Sequence, residues 1–237
     1  MFTIPHQVYV VAQLIISISV LCLFYGVNLI YFRSKRLVVP GGKRERKKSC
    51  RERFLDNFNA IRADLFFRGE WARVSSVLKF PEAKPYVALK ETLVAYYTGT
   101  FSNAIKRRRR LGKICYLDAT AGAGINIVKV GNKTYPIFGT PLIGMVMPTY
   151  GMNRLRSDIS RDKLNPFDLV VAVESDQITA LTLEKIADIT ANRLRKMGYV
   201  APDFKVYRKD FNQVVDTIFN NYGDCAHWLV VLSLIHI

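Results

Sequence analysis

The sequence predicts an α/β protein built on a mostly parallel sheet with helical crossovers. Three observations carry this. "KICYLDA", "FDLVVAVES", "DFKVYRKD" and "AHWLVVL" are strand candidates, separated by segments of helical periodicity. The run at 167–175 has the continuous β-branched character of a strand buried on both faces. The first strand ends in an acid, Asp118, and a turn holding Gly122 and Gly124. Half of the 237 residues are hydrophobic, enough for a sizeable core. The net charge of +16 favours anionic partners such as lipid head groups, nucleic acid or phosphates.

Taken in order, Met1 to Phe32 contain no Lys, Arg, Asp or Glu. Residues 8–32 exceed the roughly 20 apolar residues needed to cross a bilayer, and Tyr9, Tyr25, Tyr31 and Phe32 lie towards the ends. Arg33, Lys35, Arg36 and "KRERKK" at 43–48 follow. The expectation is one N-terminal transmembrane helix in 1–32, with the C-terminal domain cytoplasmic by the positive-inside rule and the basic segment against anionic lipid. A signal peptide fits less well, since no positive n-region or small-residue cleavage site is present. A buried core helix of this length is unusual.

Residues 33–53 read as a basic linker with Pro40 and Gly41-Gly42. Phe54, Phe58, Ile61 and Leu65 fall on one helical stripe within a connector at 54–85. After Pro81 and Pro85, residues 86–105 read as a helix with Leu89, Leu93, Tyr97 and Phe101 on one face. "KRRRRLGK" follows, either a solvated helix end or a phosphate-contacting loop.

Between the first and second strands, "INIVKVGNKTYPIFG" alternates around Gly131-Asn132 as a hairpin. "TPLIGMVM" suits a helix with Pro141 in its first turn, and the residues after it a loop or broken helix. Residues 176–199 read as an amphipathic helix carrying Ile178, Leu181, Ile186, Ile189 and Leu194, stopped at Gly198. A shorter helix ends near Gly223.

The glycine turn carries the functional argument. A dinucleotide fingerprint needs a third glycine where Ile127 stands, so NAD fits poorly. D-x-x-x-G-x-G is instead the arrangement of class I methyltransferases at their first strand, where the loop wraps S-adenosylmethionine. Glu174 and Asp210 end the second and third strands. An acid at the second can accept from both ribose hydroxyls, and one at the third from the adenine amino group, at the sheet edge where open α/β folds bind ligands. The competing reading for each acid is a helix cap or a surface charge. The candidate cofactor-binding set is therefore Asp118, Gly122, Gly124, Glu174 and Asp210. No catalytic base stands out, and no metal site is expected.

"LKETLVAYYTGTF", "YLDATAGAG" and "GTPLIGM", in this order and spacing over residues 86–231, resemble the three-Cys-motif partner proteins. That family shows a lysine-bearing helix, a strand reading roughly "YIDLFAGPG", then "GSPLIAL". Thr-Ala-Gly-Ala-Gly here replaces Phe-Ala-Gly-Pro-Gly and keeps both glycines. The resemblance implies a Rossmann-like, methyltransferase-type domain and a companion protein bearing three cysteines, and it matches the family's lysine to Lys90. It does not cover the apolar front end.

"LSLIHI" at 232–237 reads as a non-native tail, so the domain is expected to be C-terminally truncated near Val231. Cys22, Cys50, Cys115 and Cys225 are scattered without a CxxC pair and read as reduced thiols. Two functions follow as expectations. One is a membrane-tethered, S-adenosylmethionine-dependent methyltransferase-like protein of unknown acceptor. The other is a non-catalytic nucleic-acid-binding module on the same fold.

Overall fold

The computed structural model describes residues 8–10, 49–107, 112–156 and 160–232. The expected span over 11–32, most of the linker, the arginines at 108–110 and the tail from 233 onward lie outside the described residues.

Five parallel strands form the main sheet: β1 (Val8–Val10), β3 (Lys113–Asp118), β6 (Leu169–Val173), β7 (Asp203–Tyr207) and β8 (Cys225–Val231). Their order is β1-β8-β3-β6-β7. The four strands expected from the sequence thus lie in the order third, second, first, fourth, with the glycine-bearing strand central. The wholly buried pattern of β6 matches its β-branched run. A second sheet, β2 (Glu82–Ala83), β4 (Ile125–Val130) and β5 (Lys133–Phe138), is built around the expected hairpin.

The helices are α1 (Cys50–Ala60), α2 (Ala63–Phe67), α3 (Trp71–Val77), α4 (Pro85–Arg107), α5 (Thr140–Val146), α6 (Met152–Leu155), α7 (Gln177–Lys196) and α8 (Phe211–Asn221). A π turn at Met147–Gly151 joins α5 to α6, so the broken helix expected after 147 is present. The larger apolar core joins Tyr116, Val170, Ala172 and Leu229 on one sheet face to Leu142 and Met145 of α5 and Leu183 and Ile186 of α7. The smaller core lies between Leu117, Val171, Trp228 and Val230 on the opposite face and Val214 and Ile218 of α8.

Several local expectations change. Val8–Val10 pair as a strand with Trp228–Val230, so the three described residues of the apolar segment are extended, not helical. No helix among the described residues is long and apolar enough to cross a membrane. The linker ends sooner than 53. Ser49 caps α1, accepting from the Glu52 N–H at 3.1 Å while the Glu52 carboxylate accepts from the Ser49 N–H at 2.6 Å. The stripe from Phe54 to Leu65 is not one helix, because α1 stops at Ala60 and Leu65 sits in α2.

On α4 the buried residues are mostly small, although Phe101 of the expected face packs on the core. Ala88, Glu91, Thr92, Val94, Ala95, Thr98, Ser102 and Ile105 are buried, whereas Leu89 is exposed. Small residues let α4 pack closely against its neighbours: a Cβ on Gly99 would stand 2.7 Å from Met152 Sδ. On α7, Ile186 and Leu194 are buried as expected, but Ile178 is 77% exposed and Leu181 42%. The core-facing residues at that end are Ala180 and Leu183.

The cysteine reading is corrected. Cys115 and Cys225 form a disulfide, with Cα atoms 5.9 Å apart. They are 110 residues apart in sequence but lie on the adjacent strands β3 and β8. The cysteine pattern therefore gives no argument for a reducing compartment. Cys50 is free and exposed.

Candidate functional site

The turn after β3 is held from both sides of the sheet. The Ala119 N–H donates to the Val231 carbonyl at the end of β8 (3.1 Å), and the Ala121 N–H to the Val173 carbonyl at the end of β6 (2.9 Å). Both bonds continue the parallel ladders past Asp118, which fixes the turn at the C-terminal edge of the sheet. In open α/β sheets this is where ligands bind.

Asp118 is fully buried. Its Oδ1 accepts from the Thr120 N–H at 3.0 Å, and its Oδ2 accepts from the Thr140 hydroxyl. Burial pushes its carboxyl above the usual range; the two hydrogen bonds and the nearby Lys90 ammonium pull it back. Fully buried and with both oxygens engaged inside the protein, Asp118 holds the turn. Thr140 was not anticipated. The hairpin β4–β5 brings it there: the Gly139 N–H donates to the Gly124 carbonyl at 2.7 Å, and the next residue meets Asp118.

The two glycines differ in role. Both have positive φ, +64° at Gly122 and +82° at Gly124, a region that costs other residues about 1–2 kcal/mol. A Cβ on Gly122 would meet nothing within 4 Å. A Cβ on Gly124 would stand 2.8 Å from Leu183 Cδ1 and 3.1 Å from Ile186 Cγ2. Only Gly122 borders open space, and Gly124 lets α7 pack against the turn. At Gly124 the room a Cβ would take is filled by side chains of α7 and α5.

Glu174, half-buried beyond the end of β6, joins the same turn. Its Oε2 accepts from the Gly122 N–H at 2.8 Å and its Oε1 from the Asp176 N–H at 2.9 Å. Asp118, Gly122 and Glu174 are thus brought together, although 52 residues separate Gly122 from Glu174. Asp210 stands apart. It is exposed beyond β7, two strands from β3, and its Oδ1 accepts from the Asn212 N–H at 2.9 Å as the N-cap of α8. The capping alternative is what the structure shows for it.

Helix α4 adds an ionic pair. The Lys90 ammonium lies 3.0 Å from Glu91 Oε1, with the lysine side chain 23% exposed and the glutamate 1%. Glu91 Oε2 is buried without a hydrogen-bond partner. Burial pushes the Glu91 carboxyl up to about 7, with Lys90 opposing and Asp118 adding to the rise. Glu91 was missed because it sits among small residues, Ala88, Thr92 and Ala95, where a search for bulky stripes does not look. The spacing of those small residues was the signal. Among the described residues, no group of three His, Cys, Asp or Glu side chains could hold a metal ion.

No protein-family model matches the chain, and no curated protein is similar to it.

Proposed function

We propose that this chain is a Rossmann-like, methyltransferase-type domain that binds S-adenosylmethionine, of the kind its motifs resemble in the three-Cys-motif partner proteins. The observation that carries the reading is the Glu174 carboxylate lying over the turn, 2.8 Å from the Gly122 nitrogen, beside open space at the C-terminal edge of the central strand. The strand order, with β3 central and β6 and β7 to one side, supports it.

In this reading Glu174 accepts from the ribose hydroxyls, and Gly122 gives the ligand room at the backbone. Asp118 and Thr140 keep the turn in place. Asp210 is assigned to the adenine amino group on its position beyond β7 alone. The cofactor supplies a methyl group on a sulfonium, and the chain's part is to position it. Membrane attachment through the apolar segment and a three-cysteine companion belong to the same proposal and rest on the sequence; with Val8–Val10 paired to β8, the attachment falls to residues 11–32. A second reading, a non-catalytic nucleic-acid-binding module, rests on the net charge of +16.

The test is calorimetric titration of the full chain with S-adenosylmethionine, wild type against Glu174→Ala. A charge-assisted carboxylate–diol contact is worth about 1.5–3 kcal/mol, so the variant is expected to bind roughly 10- to 150-fold more weakly. Absence of binding by wild type overturns the reading. Salt-sensitive binding of single-stranded nucleic acid in its place favours the second.

A further inference from the structure

A cluster of cations lies away from the glycine turn. Arg154 of α6 lies over the Tyr150 ring, 5.8 Å from its centre, and its Nη1 donates to the Tyr150 hydroxyl at 2.9 Å. Arg161 lies over the Tyr199 ring at 5.0 Å, and its Nη1 donates to the Met197 carbonyl at 3.1 Å. The two rings meet edge to face with centres 6.2 Å apart, so both arginines belong to one array of rings and guanidiniums. The tyrosines are buried and the arginines exposed. Exposed Lys163 shares the turn Arg161–Lys163, and exposed Arg195 and Lys196 stand in the last turn of α7, just before Met197. The hydrogen bonds of Arg154, Arg161 and Arg195 go to a hydroxyl, a backbone carbonyl and the Asn192 amide oxygen. Among the described residues, no carboxylate pairs with any of these five cations, whereas neighbouring Arg193 is paired with Glu70.

We infer that this cluster binds a single-stranded nucleic acid through its phosphates; the inference rests on the second reading above, to which it gives a surface, and not on S-adenosylmethionine binding. Exposed cations without carboxylate partners attract a polyanion. The planar fork of arginine matches a phosphate with two hydrogen bonds. The tyrosine rings hold two such forks in place before binding, which lowers the cost of ordering them. An exposed guanidinium held against a ring can also stack an unpaired base, a contact that a duplex does not offer. The elements that meet here are a four-residue helix, a short turn and the last turn of α7. None is a helix free to enter a major groove. Position separates the cluster from the glycine turn. Helix α7 starts just after Glu174, and its 20 residues span about 30 Å, so its last turn lies at the opposite edge of the sheet. Val10, from which the apolar segment continues, ends β1 level with Val230, at the same edge as the glycine turn. That favours a soluble polyanion over a lipid surface as the partner of the cluster.

The probe is a fluorescein-labelled oligouridine, titrated by anisotropy into the full chain over a series of salt concentrations. Wild type is compared with Arg154→Gln/Arg161→Gln and with Lys163→Gln/Lys196→Gln, which removes cations that touch no ring. A third pair, Lys129→Gln/Lys133→Gln on the exposed β4–β5 hairpin, removes the same charge elsewhere. Circular dichroism melts control for folding, and the lysine pair decides if the arginine pair lowers the melt. Each cluster pair is expected to weaken binding about tenfold or more and to reduce the slope of log affinity against log salt by roughly 1.4, as two lost phosphate contacts on a single strand would. The hairpin pair is expected to stay within about twofold of wild type. Arg154→Lys/Arg161→Lys is expected to keep the slope while losing part of the affinity. Equal losses from the cluster and hairpin pairs overturn the inference and leave the second reading on net charge alone. Absence of binding by folded wild type overturns both and leaves the S-adenosylmethionine titration to be judged by itself. Cluster pairs that release phosphatidylserine vesicles but keep oligouridine overturn the inference in favour of a lipid surface.

Discussion

The Gly122 N–H donates to Glu174 Oε2 at 2.8 Å, joining the turn after the central strand to the end of its neighbour. The other oxygen of the same carboxylate accepts from the Asp176 N–H and so also orders the entry to α7. One side chain thus ties the turn to the start of α7. Glu174→Ala is expected to cost about 1–3 kcal/mol of stability through the unsatisfied N–H groups it leaves, besides weakening the ligand. Urea unfolding alongside the titration separates the two effects. Unchanged stability would show that the carboxylate does not hold the turn.

The glycines predict different outcomes. Gly122→Ala meets open space and carries only the cost of its positive φ, about 1–2 kcal/mol, so it is expected to fold and to lose ligand affinity. Gly124→Ala adds overlap with Leu183, Ile186 and Leu142, at a further cost of about 1–3 kcal/mol. Its melting temperature should fall well below that of Gly122→Ala, as circular dichroism melts would show. The reverse order would place Gly122, not Gly124, against the core.

Glu91 sets a pH dependence. Its folded pKa of about 7 lies above the ordinary 4.5, so the folded protein holds a proton that the unfolded chain has released between those values. Stability from this group is present in full below about pH 4.5 and is lost as pH rises through 7. The shift corresponds to about 3 kcal/mol. Glu91→Gln removes this loss, so the variant should gain on wild type as pH rises from 4.5 to 8. Parallel stability curves across that range would show that Glu91 titrates normally.

The Cys115–Cys225 bond closes a loop of 110 residues, for which chain entropy gives about 4–5 kcal/mol. Peptide mapping without reductant is expected to show this linkage. Reduction should lower the denaturation midpoint, whereas Cys50 should react with a maleimide in the folded protein. Rapid labelling of Cys115 in unreduced protein would contradict the bond.

The pairing of Tyr9 with Leu229 bears on the membrane. A single crossing within 11–32 would put Val8–Val10 and the main domain on opposite sides. Cysteines placed at Tyr9 and Leu229, in a background lacking Cys115 and Cys225, are expected to cross-link if the strand pairs as described. Retention after alkaline carbonate extraction without the cross-link would return residues 8–32 to a single transmembrane span.

Much of the architecture was legible in the chain because its signals are local. Alternation around Gly131-Asn132 specifies a hairpin, the run at 169–173 a doubly buried strand, and Gly198 the end of α7 (φ +78°). Asp118, Gly122 and Glu174 were picked out by position, each near the end of a strand. What local pattern could not supply was adjacency. Cys115 meets Cys225, Thr140 meets Asp118, and the Gly122 N–H meets Glu174 only because the crossovers lay β8 and β6 on either side of β3. The faces of α4 and α7 were misread in part for a related reason, at Leu89, Ile178 and Leu181. Periodicity marks where bulky residues recur, but the buried face is the one whose side chains fit the space between neighbouring elements. On α4 Ala88, Glu91, Thr92, Val94 and Ala95 are buried and Leu89 is left outside, and a Cβ on Gly99 would stand 2.7 Å from Met152 Sδ.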